Sequence, residues 1–212
     1  MQAKRTLLHL TVFFIIVFLT IGFYSLKQSQ ITVENGKGWD GKAYFSMYEN
    51  FRDGGAKQSE YPFCKRIGSP YLAHLVSNDP KTGFLTVNLV SGVITSLSVF
   101  LVILLLSERV DLAYFCSLPL LFYLYSPLRF TFYHPYFVDP PALALLSLGI
   151  LALLYRRYFI VIVLVLSSAC FRESGLYYSV FFLVSLLAII TAARNMSHCS
   201  WLHCFTLSAF GV

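Results

Sequence analysis

Four groups of residues in this sequence carry side chains able to do chemistry: Asp40 within Gly38-Trp39-Asp40-Gly41, Lys65-Arg66 ahead of Gly68-Ser69-Pro70, Asp139 before Pro140-Pro141, and Arg172-Glu173. Glycines flanking Trp39-Asp40 allow a tight turn with close backbone approach. The Asp40 carboxylate is then left as a general base or as a ligand for a divalent ion such as Mg2+ or Mn2+. The same residues also make an ordinary solvated Asp-Gly turn. Lys65 and Arg66 sit ahead of a helix start and suit the phosphate of a lipid carrier; snorkelling into headgroups is the plainer use. Arg172 can bind phosphate with Glu173 orienting it, or the two can form a local ion pair. Asp139 is a substrate-binding candidate that also stands where an N-cap belongs, because Pro140 and Pro141 favour a first helical turn.

His74 and His134 read as packed or interfacial histidines. Asn88 and Ser91 read as hydrogen-bonding residues between helices, outside the site. The five cysteines, Cys64, Cys116, Cys170, Cys199 and Cys204, form no CxxC pair and no ligand spacing with histidine, so they support neither a zinc site nor a disulfide framework.

The elements that must hold these residues are apolar. The 212 residues are 57% hydrophobic and 12% charged, with mean hydropathy +0.68, against roughly 25% charged in a soluble domain. The net charge of +6 is scattered over loops, which points to lipid headgroups and away from nucleic acid. The pattern predicts an all-α fold: one polytopic transmembrane helical bundle over 1–212, with spans near 7–24, 84–106, 112–127, 140–155, 158–170 and 176–193. Trp201 to Val212 reads as the opening of a seventh span or the end of a fragment. Residues 25–83 form a long extracytoplasmic loop with short interfacial helices. Within it Tyr44, Phe45, Met47, Tyr48 and Phe51 line one side of a helix at the lipid surface. Pro119 lies inside the third span and predicts a kink.

The first apolar run follows Lys4-Arg5. It is long for a signal peptide and lacks a small-residue cleavage site, so it reads as a retained helix with its N-terminus in the cytoplasm. Lys4, Arg5, Arg109, Arg156, Arg157 and Arg194 then fall inside, against Arg129 and Arg172 outside. This topology sets Asp40, Asp139 and Arg172-Glu173 on one outer face, where ionisable groups near hydrocarbon are functional candidates.

Taken in order, Gly38-Trp39-Asp40-Gly41 with Tyr44, Lys65-Arg66-Ile67-Gly68-Ser69-Pro70-Tyr71-Leu72-Ala73, Val87-Asn88, Asp139-Pro140 and Arg172-Glu173 resemble the bacterial polytopic GT-C-type glycosyltransferase-like proteins. Where that pattern often has a second acidic residue beside the proline, this chain has Pro140-Pro141. The resemblance implies transfer of a sugar from a polyprenyl-phosphate donor to an extracytoplasmic acceptor, in a bacterial inner membrane. Asp40 would be the catalytic base or metal ligand, with Lys65, Arg66, Asp139, Arg172 and Glu173 binding substrate. The competing expectations are a transporter or lipid-carrier flippase, whose charges line a pathway, and a non-catalytic assembly subunit with a membrane-protein partner.

Overall fold

In the computed structural model, residues 2–54, 63–123 and 125–172 are described. They form nine α-helices and two short 3-10 turns, with no strand among the described residues. Helix α1 (Gln2–Lys27) has 26 residues and α4 (Pro80–Ser107) has 28. At 1.5 Å per residue they reach about 39 and 42 Å, enough to cross a hydrocarbon core of about 30 Å. Both are long and apolar enough to span a membrane. Much of α1 turns large apolar side chains outward, among them Leu7, Leu8, Ile15, Phe18, Leu19 and Phe23. A surface of that kind marks contact with lipid or protein.

Helix α4 is central and touches α1, α2 (Gly41–Arg52), α3 (Gly68–Val76), α5 (Val110–Ser117), α7 (Pro127–Tyr133) and α8 (Asp139–Leu154). Its start is well defined. The Asp79 side chain accepts from the Thr82 amide at 2.8 Å and from the Thr82 hydroxyl at 2.6 Å, and Pro80 occupies the first turn. It ends at Glu108, whose φ of 55° turns the chain out of the helix. Along its C-terminal half, Phe13 of α1 stacks on Phe100 with centroids 4.5 Å apart, and Val17, Leu104, Ala113, Leu121 and Leu128 belong to the same core.

Two of the expected spans, 7–24 and 84–106, lie within these two long helices. The third expected span divides into α5 and the four-residue α6 (Pro119–Phe122), because Pro119 has no N–H to continue the ladder. Helix α8 has 16 residues and α9 (Tyr158–Ser168) has 11, or about 24 and 17 Å, each short of a full crossing. The expected span at 176–193 and the partial seventh lie outside the described residues.

In the segment expected as a long loop, the aromatic side of α2 packs inward, with Phe45 and Phe51 partly buried against one core cluster. Tyr44, Met47 and Tyr48 are buried at 2%, 4% and 0% exposure against Ala73, Phe84, Tyr136 and Val138. What makes this packing possible is a close approach of backbones: a Cβ on Gly83 would stand 2.4 Å from the Ala73 carbonyl oxygen. Helix α3 therefore lies directly on the start of α4, and α2 closes over both, with the Tyr48 hydroxyl donating to the Ser77 carbonyl at 2.6 Å.

Candidate functional site

Asp40 is held by a turn moulded on a histidine. The Gly38 carbonyl accepts from the Gly41 amide at 3.3 Å and lies 2.6 Å from Nε2 of the buried His134. A carbonyl only accepts, so Nε2 carries the proton in this contact. The ring touches the turn on its other side as well: a Cβ on Gly41 would meet His134 Cε1 at 2.9 Å and Tyr136 Cβ at 3.1 Å. Glycine at 41 is thus required by proximity. Between these two glycines Trp39 has φ 57°, a left-handed conformation that costs an L-residue about 1–2 kcal/mol. Its indole lies nearly parallel to His134 (5.4 Å, 4°) and to Phe130 (6.3 Å, 6°), yet the residue remains 65% exposed.

His134 is held in turn by a loop fixed from α4. Asn88 is fully buried and its Nδ2 donates to both the Pro135 and Phe137 carbonyls, at 2.9 and 2.6 Å. The Ser69 hydroxyl donates to the Val138 carbonyl at 3.1 Å. Burial, and secondarily the Asp79 carboxylate, pushes the Tyr136 hydroxyl above the ordinary tyrosine range, so it stays a neutral group at pH 7.

The cations arrive from two other segments. Nη1 of Arg66 donates to the Tyr44 hydroxyl at 2.8 Å and stands 3.9 Å from Oδ2 of Asp40. The Arg66 side chain is 17% exposed and that of Asp40 is 58%, so a mostly enclosed guanidinium faces an open carboxylate. Arg172 reaches the site because the 170–172 segment is laid on α3: the Gly68 amide donates to the Cys170 carbonyl at 2.9 Å, and a Cβ on Gly68 would meet the Phe171 ring at 2.8 Å. Nη1 of Arg172 donates to Oδ2 of Asp139.

That ion pair corrects the capping expectation for Asp139. Val138 occupies the N-cap position and Asp139 is the first residue of α8, and its carboxylate engages Arg172. Asp40, Arg66, Asp139 and Arg172 all line one cavity of about 170 Å³, with Trp39, Tyr44, His134 and Tyr136 among its walls. Lys65 is exposed and is not among the lining residues. Glu173 lies outside the described residues.

Each of the two aspartates faces a guanidinium, and no cluster of three His, Cys, Asp or Glu occurs among the described residues. A divalent ion held by one or two carboxylates together with waters and a substrate phosphate would call on Asp40, the more open of the two. The arrangement offers one accessible carboxylate, two guanidiniums and an aromatic wall.

His134 and Asn88 are the positioning residues that sequence reasoning assigned elsewhere. A lone histidine after an aromatic stretch and a lone asparagine in an apolar helix carry no spacing signal. Only the Gly41 contact could have linked the first to the turn. At the opposite end of α1 and α4 a second cleft, of about 540 Å³, is lined by Arg5, His9, Glu108, Arg109 and Asp111. Compared with known proteins, the chain matches no family model, no curated protein and no solved structure.

Proposed function

We propose that this chain is a polytopic membrane protein whose outer-facing pocket transfers a glycosyl group from a polyprenyl-phosphate donor to an acceptor hydroxyl. The observation that carries the reading is the meeting of Asp40 with Arg66 and Arg172, from three separate segments, at one cavity. In this reaction the acceptor oxygen bonds to the anomeric carbon as the bond from that carbon to the phosphate oxygen breaks, with inversion. The Asp40 carboxylate takes the acceptor proton, and the leaving polyprenyl phosphate is stabilised by the two guanidiniums. Asp139 holds Arg172 in place. The exposed Lys65 adds a cation that attracts anionic headgroups.

The membrane setting follows from the same reading. Helices α1 and α4 cross fully; the shorter α5–α6, α8 and α9 cross with neighbours covering their ends. Lys4, Arg5, Arg109, Arg156 and Arg157 face the cytoplasm, in an inner membrane of bacterial type. A carrier or flippase is favoured by one observation, the second polar cleft at the other end of the bundle.

The test uses purified protein in lipid, a radiolabelled polyprenyl-phosphate hexose and a mixture of hydroxyl acceptors. Wild type releases polyprenyl phosphate, and Asp40→Asn loses about 100-fold or more, the usual contribution of a general base. Equal turnover by Asp40→Asn refutes the assignment. Labelled donor moved across the bilayer unchanged supports the carrier.

A further inference from the structure

We propose that the open face of the Trp39 indole is the seat of the transferred sugar, stacking the apolar C–H face of a single pyranose or furanose ring above the Asp40 carboxylate; this rests on the glycosyl-transfer reading. Trp39 is unusual in three respects that core packing does not explain. It is a bulky residue at φ 57°, where glycine sits without strain. It is 65% exposed, so burial is not what keeps it there. Its ring is nonetheless fixed, parallel to His134 and Phe130, and His134 also fixes the Gly38 carbonyl that precedes it. Strain held in place next to candidate chemistry is the pattern of a preorganised ligand contact.

The chemistry around the ring selects the ligand. The cavity is about 170 Å³, below the 300–1,000 Å³ of sites that enclose drug-sized molecules, so it takes one ring and not an extended chain. Its other walls present the Asp40 carboxylate and the Arg66 and Arg172 guanidiniums. A prenyl tail or a plain aromatic ring there would desolvate those charges without hydrogen bonds. A bare phosphate would use the guanidiniums and have no need of an aromatic shelf. A sugar carried on a phosphate has an apolar face for the indole and hydroxyls for the Asp40 carboxylate, and leaves its phosphate to the guanidiniums.

The sequence contains two tryptophans, Trp39 and Trp201, so Trp201→Phe leaves a single indole as reporter. Protein in amphipol, which carries neither indole nor sugar, is titrated with citronellyl phosphate and with citronellyl phosphates bearing glucose, galactose, mannose or arabinose. At least one sugar-bearing probe is expected to change Trp39 emission and to bind tighter than the sugarless one. By calorimetry in the parent protein, Trp39→Gly lowers affinity for that probe tenfold or more and leaves citronellyl phosphate unchanged, while Trp39→Tyr keeps most of the affinity. Glycine is chosen because it accepts the turn's backbone. Equal loss for both probes, no loss for either, or no preference for a sugar in wild type overturns the proposal while leaving lipid-phosphate recognition intact. Binding of no probe at all overturns it together with the glycosyl-transfer reading.

Discussion

The contact between Gly41 and His134 can be measured by a double-mutant cycle. Gly41 begins α2 and does not have positive φ, so on backbone grounds Gly41→Ala should stabilise by about 0.4–1 kcal/mol. Against that, the new methyl meets His134 Cε1 at 2.9 Å, Nε2 at 3.4 Å and Tyr136 Cβ at 3.1 Å. Overpacking of this kind costs about 1–3 kcal/mol, which set against the backbone gain leaves a net loss of about 1.3 kcal/mol at the midpoints of the two ranges. His134→Ala is costly on its own account: it opens a cavity and removes the shorter of the two hydrogen bonds to the Gly38 carbonyl, which keeps the Gly41 amide, a loss of about 0.5–1.5 kcal/mol for that bond. In the double variant the ring is gone and only the Tyr136 contact opposes the methyl. Gly41→Ala in that background should therefore fall to near neutral, a coupling of about 1 kcal/mol favouring the double variant. Stability in lipid, read from denaturant midpoints of the four proteins, checks this. Effects additive within about 0.5 kcal/mol would refute the claim that the ring and the turn are in contact.

Three further outcomes follow from single contacts. Gly83→Ala drives a methyl to 2.4 Å from a backbone oxygen of α3, which cannot rotate away; a loss of at least about 1–3 kcal/mol is expected, with faster proteolysis between α2 and α4. Asn88→Leu leaves two carbonyls of the 134–138 loop without their donor, at about 1–3 kcal/mol each, and hydrogen exchange should rise in that loop before α4 is affected. Asp79→Ala removes the α4 cap, worth about 0.5–2 kcal/mol. Bonding first from the Thr82 hydroxyl, then from its amide, holds the Asp79 carboxyl below the usual carboxylate range. A depressed folded value means the contribution is complete above the unfolded value of about 3.9 and is lost as pH falls through the folded one. The difference between wild type and Asp79→Ala should shrink on acidification below about pH 4 and stay constant above it.

The parts of this fold that could be read from the sequence are those where one chain property decides the outcome. Uninterrupted apolar runs made α1 and α4 plain, and Pro119 marked the break between α5 and α6. The direction in which α2 buries its aromatics was not legible, because it depends on Gly83 and Ala73 letting two backbones touch, and a glycine in an apolar helix looks the same wherever it packs. Among the site residues, the expected topology brought Asp40, Asp139 and Arg172 to one end of the bundle, and they do line one cavity, but Arg66 and Lys65 were indistinguishable as neighbours in a loop. The Tyr44 hydroxyl separates them, since it accepts from Arg66 beside Asp40, while Lys65 is exposed and not among the residues lining the cavity. Asp139 was misread by one position: a proline after an acidic residue fits both an N-cap and a first helical residue, and the partner 33 positions away decides between them.

The stacking of Phe13 on Phe100 bears on how the protein matures. An N-terminal apolar helix after two basic residues is what a leader peptidase looks for, yet Phe13 and Val17 are wholly buried among Phe100, Leu104, Leu121 and Leu128, and the Tyr24 hydroxyl is tied to the Leu121 carbonyl. A variant lacking residues 1–27 would strip from that core the wall that Phe13 and Val17 supply, uncover Phe100, Leu104, Leu121 and Leu128, and leave the Leu121 carbonyl without the Tyr24 hydroxyl.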